Sequence, residues 1–204
     1  MIELRTAVVV VGLFASACAS SGFVSSWKSP TAKPLQGGNK VAAVVMIGDE
    51  AQRKSAEERL ALEITQRGRS TGVPMYQIMP NVQPGDEAVA REALEKADIK
   101  GVVVMRPTAD PKTGKTVDYS VPPYSSYWNQ GFYAHGWGQP WIDPGGQPYD
   151  MVVSVDTLIY SLNQNQLVWA GKSKKTNPAT LNELVSELAV DTAKELQELA
   201  LIPK

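Results

Sequence analysis

The sequence predicts an α/β domain with a mixed β-sheet of about five to seven strands packed by three helices. Two valine-rich runs, KVAAVVMI at residues 40–47 and GVVVM at residues 101–105, are typical of strands buried on both faces. Between them apolar residues recur at helical spacing, whereas the second half alternates apolar and polar residues as antiparallel strands do. The expected order of elements is β-α-β-α-β-β-β-β-α.

The first half of the chain begins with a strand and a helix. The run at 40–47 is followed by Asp49, a residue type that caps helix N-termini. The predicted helix has one apolar face and ends at Gly68, a favourable C-terminal stop. Its apolar face consists of Ala56, Leu60 and Ile64. The next predicted strand is MYQIM at residues 75–79.

A second helix is predicted directly after Pro84, Gly85 and Asp86, with apolar residues on one face between positions 89 and 97. Residues 101–105 then return to the sheet as a buried strand. Strand–helix–strand units of this kind place their strands in parallel through right-handed crossovers.

The second half predicts antiparallel hairpins and a closing helix. An alternating run at 117–121 predicts one strand, and residues 151–159 predict a longer one. LNQNQ at 162–166 is a turn into a last strand that ends near Ser173. The final helix is predicted over residues 180–199, where an apolar stripe is expected to pack on one face of the sheet.

Composition and charge exclude some classes of function. The chain has 204 residues, a net charge of −1 and a pI near 5.9, and 43% of its residues are hydrophobic. A single domain of this length can bury a core without disulfides or metals. Because there is no basic excess, the sequence predicts no nucleic-acid partner.

The N-terminal residues predict a lipoprotein signal peptide over residues 1–17. Arg5 precedes an apolar run shorter than the ~20 residues that a membrane span needs, and small residues stand directly before Cys18. This layout resembles the bacterial lipobox, whose cysteine is acylated and becomes the first mature residue. The alternative left open is an ordinary secreted protein with a free or buried cysteine.

The lipobox resemblance implies a lipid-anchored protein. Residues 18–39 are rich in serine, glycine, proline and lysine and are expected to be a linker, with the apolar residues at 23–27 forming a short edge strand. Residues 40–204 are expected to form one α/β domain. Ala19 follows the cysteine, and for lipoproteins this implies the inner leaflet of the outer membrane, facing the periplasm.

The order of elements also resembles a known family. A lipobox, FVSSWKSP at 23–30, GVVVMR at 101–106 and LVWAGKSKKTNP at 167–178 together look like small uncharacterised bacterial envelope lipoproteins. At the level of the fold, the order is similar to the N-terminal domain of the Tol-Pal periplasmic propeller protein and to periplasmic assembly lipoproteins. The family of small envelope lipoproteins has no established catalytic residues, so the resemblance to it implies none in this chain.

Catalytic chemistry is not predicted from the residues. His135 is the single histidine and Cys18 the single thiol, so a Ser-His-Asp, Cys-His or zinc site lacks partners. No phosphate-binding loop is present in the sequence, and no metal or cofactor is expected. Among the acidic residues, Glu57 and Glu58 are expected on a solvated helix face and Asp156 on the wet face of a strand.

One stretch differs from the rest of the chain. Residues 122–149, PPYSSYWNQGFYAHGWGQPWIDPGGQPY, contain more than half of the aromatic residues and a single formal charge, at Asp143. A long insertion inside a compact domain is usually functional, and Tyr and Trp supply large contact areas at interfaces. The predicted partner-binding residues are Tyr124, Tyr127, Trp128, Phe132, Tyr133, His135, Trp137 and Trp141.

Four interpretations of residues 122–149 remain open, and a recognition surface for an envelope protein is favoured. The others are a platform for glycan such as peptidoglycan, contact with lipid headgroups, and a self-packed loop that covers its own sheet. The sequence thus predicts a non-enzymatic, lipid-anchored binding or scaffolding module. The alternative is a glycan-binding protein or envelope hydrolase that uses the stretch as a substrate platform.

Overall fold

The computed structural model describes residues 22–47, 49–80, 87–109, 152–176 and 178–202, and these ranges contain six strands and four helices. In chain order the elements are β1 (Phe23–Lys28), β2 (Lys40–Val45), α1 (Glu50–Arg67), β3 (Thr71–Pro74), α2 (Met75–Ile78), α3 (Glu87–Lys96), β4 (Ile99–Ala109), β5 (Val152–Ser161), β6 (Gln166–Thr176) and α4 (Leu181–Glu198). The α/β class predicted from the sequence is confirmed.

The six strands form one mixed sheet in the order β1-β6-β5-β4-β2-β3. β2 pairs in parallel with β3 and β4, because the connections between these strands contain helices. β4, β5, β6 and β1 pair in antiparallel, which confirms the hairpins predicted for the second half. The two halves of the chain therefore share one sheet and meet at β4.

A hydrophobic layer lies on each face of the sheet. On one face α1 and α4 contribute buried residues such as Leu60 and Leu188. On the other face α2 and α3 contribute Met75 and Leu94. Alternate residues of β2 and β4 belong to the two layers, so both faces of these strands are buried, as their continuous apolar runs predict.

The helix ends predicted from the sequence are confirmed. The Asp49 carboxylate accepts a hydrogen bond from the Gln52 backbone N–H at 2.7 Å and so caps α1. Gly68 ends that helix, and its N–H donates to the Ile64 carbonyl oxygen. Thr180 caps α4 through its side-chain hydroxyl.

The predicted strand at 75–79 is wrong, because this stretch holds the short helix α2 and the strand precedes it as β3. Pro74 is the last residue of β3, and proline has no N–H to donate to a neighbouring strand. The buried Glu57 carboxylate then accepts a hydrogen bond from the Tyr76 backbone N–H at 2.9 Å. The described residues therefore contain one short helix more than the sequence predicts.

The first strand forms one edge of the sheet. β1 pairs with β6 and lies within the residues expected to be linker, where an edge strand was expected at 23–27. That expectation is confirmed. The strand expected at 117–121 lies outside the described residues.

Candidate functional site

The chain leaves the sheet between β4 and β5 at residues that are paired with each other. Ala109, the last residue of β4, lies opposite Val153 at the start of β5. Residues 110–151, which include the aromatic stretch at 122–149, therefore begin and finish at neighbouring positions on one end of the sheet. We call this end of the sheet the insertion end.

The N-terminus of the described chain lies at the same end. Phe23 of β1 pairs with Ser173 of β6, which pairs in turn with Val155 of β5. Val155 pairs with Pro107 of β4, shortly before that strand ends. Three strand spacings of ~4.8 Å place Phe23 about 14 Å from Pro107 across the sheet. The described chain therefore enters the sheet at the insertion end.

An aromatic pair holds β1 in this position. The Phe23 ring meets the Trp169 ring edge-on, with centroids 5.0 Å apart and planes at 80°. Gly171 makes room for the pair, because a Cβ atom there would clash with both the Trp169 and the Phe23 rings. Both rings are buried. The entry of the chain is thus fixed by side-chain packing as well as by strand pairing.

The carboxyl ends of β2 and β4 also face the insertion end. Val45 pairs with Met105 in parallel, and the Met46 N–H donates to the Met105 carbonyl oxygen at 2.9 Å. The N-terminus of α1, capped by Asp49, follows β2 closely. In open α/β sheets, ligands bind outside the carboxyl ends of the parallel strands. The insertion end is therefore the candidate functional site.

A row of charged side chains crosses the sheet next to the insertion end. Arg106 of β4, Asp156 of β5 and Lys172 of β6 are consecutive partners across the strands. Arg106 Nη2 donates to Asp156 Oδ2 at 2.8 Å, and Lys172 Nζ lies 3.8 Å from Asp156 Oδ1. The Asp156 side chain is 12% exposed, so the expected wet strand face is wrong. Because a cation faces each of its oxygens, this carboxylate balances its neighbours and stabilises the sheet beside the insertion.

Burial also changes the environment of Glu57. Its side chain is fully buried, so the solvated helix face expected for it is wrong, whereas Glu58 is exposed as expected. The carboxylate accepts the hydrogen bond from Tyr76, and Arg53 Nη1 lies 3.4 Å away. Desolvation nevertheless raises the pKa of Glu57 above its ordinary value. The Glu57 carboxylate thus links α1 to α2, although burial of its charge costs free energy.

The residues predicted to bind a partner lie outside the described ranges, and so does the predicted lipid-attachment residue Cys18. The partner-binding set is Tyr124, Tyr127, Trp128, Phe132, Tyr133, His135, Trp137 and Trp141, and its role stays a prediction. In the ranges that the structure describes, no three His, Cys, Asp or Glu side chains are grouped as metal ligands. Nor is any helix of those ranges long and apolar enough to cross a bilayer.

Comparison with known proteins finds similar solved structures. No family model matches the chain, and no curated protein matches it. A PelC dodecamer from Paraburkholderia phytofirmans is 16% identical, with a TM-score of 0.45 over 87% of this chain and 96% of that chain. A second PelC dodecamer from that organism, carrying one substitution, is 16% identical, with a TM-score of 0.44 over 86% of this chain and 98% of that chain.

The sequence signals for the charged row are visible only in retrospect. Arg106 and Lys172 each stand in a strand next to buried residues, and a charged side chain in such a place needs a counter-ion. Asp156 is the acidic residue with the matching position in the intervening strand. No comparable signal predicts that β1 and the insertion share one end of the sheet, because that depends on the pairing of β1 with β6.

Proposed function

We propose that this protein is a non-enzymatic binding or scaffolding module of the bacterial envelope, held at the outer membrane by a lipid on Cys18. Residues 122–149 are its recognition surface for a protein partner. The observation that supports this most is the shared insertion end, where β1 and both flanks of the insertion meet the sheet. A domain anchored through the segment before β1 has its insertion end toward the membrane.

The reach of the chain limits how far the insertion is from such a lipid. Phe23 follows Cys18 by five positions, so an extended chain spans at most about 18 Å between them. Pro107 lies about 14 Å farther across the sheet. Pro107, three positions before residue 110, then lies within about 32 Å of the lipid. The partner is therefore a protein at or close to the membrane surface.

The composition of the insertion favours a protein as the partner. Residues 122–149 combine many Tyr and Trp side chains with one formal charge, at Asp143. The centres of protein interfaces are enriched in Tyr and Trp and depleted of charged residues. The segment contains no Lys or Arg, so anionic lipid offers it no electrostatic attraction.

Site-specific photo-crosslinking in living cells tests this proposal. A photoreactive amino acid at Tyr127 or Trp137 is expected to give one dominant protein adduct, identified by mass spectrometry. The matched control is Asn163, an exposed residue in the turn between β5 and β6 at the opposite end of the sheet. The same group at Asn163 is expected to give no such adduct.

Other crosslinking results would refute the protein-partner proposal. Peptidoglycan fragments as the main adduct of Trp137 would indicate the glycan platform instead. Lipid as the sole adduct of Tyr127 and Trp137 would indicate membrane contact. Equal yields of one protein from Trp137 and from Asn163 would indicate capture without recognition.

Replacement of residues 122–149 by a short glycine–serine loop separates recognition from packing. A recognition surface adds little burial to the domain, so the variant is expected to melt within about 3 °C of the wild type and to lose the partner in co-purification. A much larger fall in the melting temperature would indicate that the segment covers its own sheet, and the proposal would then fail.

A further inference from the structure

A cavity of about 320 Å³ lies at the end of the sheet opposite the insertion end, between α1, α4 and the sheet. Its walls are mostly apolar and come from α1, α4 and the sheet. Leu60 belongs to α1, Val103 and Met105 to β4, Ile159 to β5, and Ala193 and Leu196 to α4. Pockets of small ligands have volumes of roughly 300–1,000 Å³ and similarly apolar walls. The cavity is therefore large enough for a ligand of modest size.

The dimensions of the cavity favour a narrow chain. Lys100 and Met105 both line it, so it extends along β4 for about 17 Å at ~3.3 Å per residue. At ~30 Å³ for a group the size of a water molecule or a methylene, its volume holds about ten such groups in a row.

The exposed rim of the cavity carries positive charge. Lys33, Arg67 and Lys100 line it together with a single acidic residue, Glu63. Arg67 Nε lies 2.7 Å from Glu63 Oε2, and the Lys100 ammonium lies 2.6 Å from a carboxylate oxygen of Asp98. The ammonium of Lys33 makes no ion pair within the described ranges. Within the part of the chain that the structure describes, the rim therefore has an uncompensated cation available for an anionic group.

We propose that this cavity binds a saturated medium-chain fatty acid of about ten carbons, with its chain along β4 and its carboxylate at Lys33. The apolar walls match the methylene chain, and the cationic rim matches the single negative charge. The site does not depend on the function proposed for the insertion, because its described lining comes mainly from α1, α4, the sheet and the turn between β5 and β6.

Isothermal titration of straight-chain carboxylates tests the site. The protein is the full chain carrying Cys18→Ser, so that no covalent lipid competes, and the probes are hexanoate, octanoate, decanoate and dodecanoate below their micelle concentrations. Each added methylene is expected to strengthen binding about fourfold up to decanoate. Dodecanoate is expected to bind no more tightly than decanoate, because decanoate already fills the cavity. Absence of saturable decanoate binding, or affinity independent of chain length, would overturn the proposal.

A cavity-filling variant tests the location. Ala193→Leu introduces three carbon atoms into the cavity and is expected to weaken decanoate binding about 50-fold. The matched control is Ala51→Leu on the exposed face of α1, which is expected to bind as the unsubstituted chain does. Thermal melting shows that each variant is folded. A folded Ala193→Leu variant that binds decanoate normally would place the ligand elsewhere and overturn the proposal.

Removal of the free cation tests the orientation of the ligand. Lys33→Gln is expected to weaken decanoate binding about fivefold while leaving the binding of decanol unchanged, because decanol has no charge to lose. If decanoate binding is unchanged in Lys33→Gln, or if decanol binding falls equally, the assignment of the carboxylate to Lys33 is refuted. Lys33 is exposed, so this substitution leaves the core of the domain intact.

Discussion

Substitution of Phe23 by alanine tests whether β1 holds the N-terminal segment at the insertion end. The side chain is 9% exposed and packs edge-on against Trp169. Burial of a Phe side chain contributes about 1.5–3 kcal/mol, and an aromatic pair adds about 0.5–1.5 kcal/mol. The sum is about 2–4.5 kcal/mol, and an edge strand can relax to fill part of the space. We therefore expect a loss of about 3 kcal/mol.

Urea denaturation followed by tryptophan fluorescence measures this loss, since Trp169 reports directly on the contact. The matched control is Val24→Ala, because the Val24 side chain is 63% exposed on the same strand. We expect the control to change the free energy of unfolding by less than about 0.5 kcal/mol. If Phe23→Ala costs less than about 1 kcal/mol, β1 is not docked as described, and the geometry behind the proposed function is refuted.

Three further predictions follow from the charged groups and the N-terminus. Asp156→Asn is expected to lower the free energy of unfolding by about 2 kcal/mol in urea denaturation, because it removes the carboxylate that faces both Arg106 and Lys172. Lys172→Gln is expected to lower it by less than about 1 kcal/mol, since the Lys172 ammonium is 3.8 Å from Asp156 and 31% exposed. Equal losses would contradict this ranking. Burial raises the pKa of Glu57, so its contribution to stability is present below the ordinary value of 4.5 and is lost as the pH rises above it. Glu57→Gln cannot ionise, and its stability relative to wild type should rise from pH 4 to pH 7; a difference independent of pH would refute this. Cys18→Ala is expected to move the protein from the membrane to the soluble fraction in cell fractionation, and a variant that stays with the membrane would refute the lipid anchor.

Much of the fold could be predicted because its signals are local. A strand buried on both faces must be apolar throughout, so the run at 40–47 identifies β2 without knowledge of its neighbours. Asp49 and Gly68 predict the ends of α1, since caps depend on contacts within one turn. The prediction of a strand at 75–79 was wrong because the contact that decides this stretch is not local. MYQIM has the composition of a strand, but in the short helix α2 its Tyr76 N–H donates to the Glu57 carboxylate on α1.

The candidate site was less predictable than the fold. The aromatic stretch at 122–149 is evident from composition, yet composition contains no information on where it leaves the sheet. The charged row was missed because its members come from three strands. Asp156 was expected on a wet strand face, and its burial depends on Arg106 and Lys172 lying beside it.

Residue types and their spacing were enough to predict the α/β class and the order of most elements, and they show the concentration of aromatic residues in one insertion. Each of these depends on residue type and on spacing within a few turns or strand repeats. The tertiary structure was needed to show that Phe23 and the flanks of the insertion lie at one end of the sheet, that Glu57 is buried, and that a cavity lies between α1, α4 and the sheet. Phe23 and Ser173, for example, are 150 positions apart in the sequence. Their pairing depends on packing across the whole sheet, which no local pattern specifies.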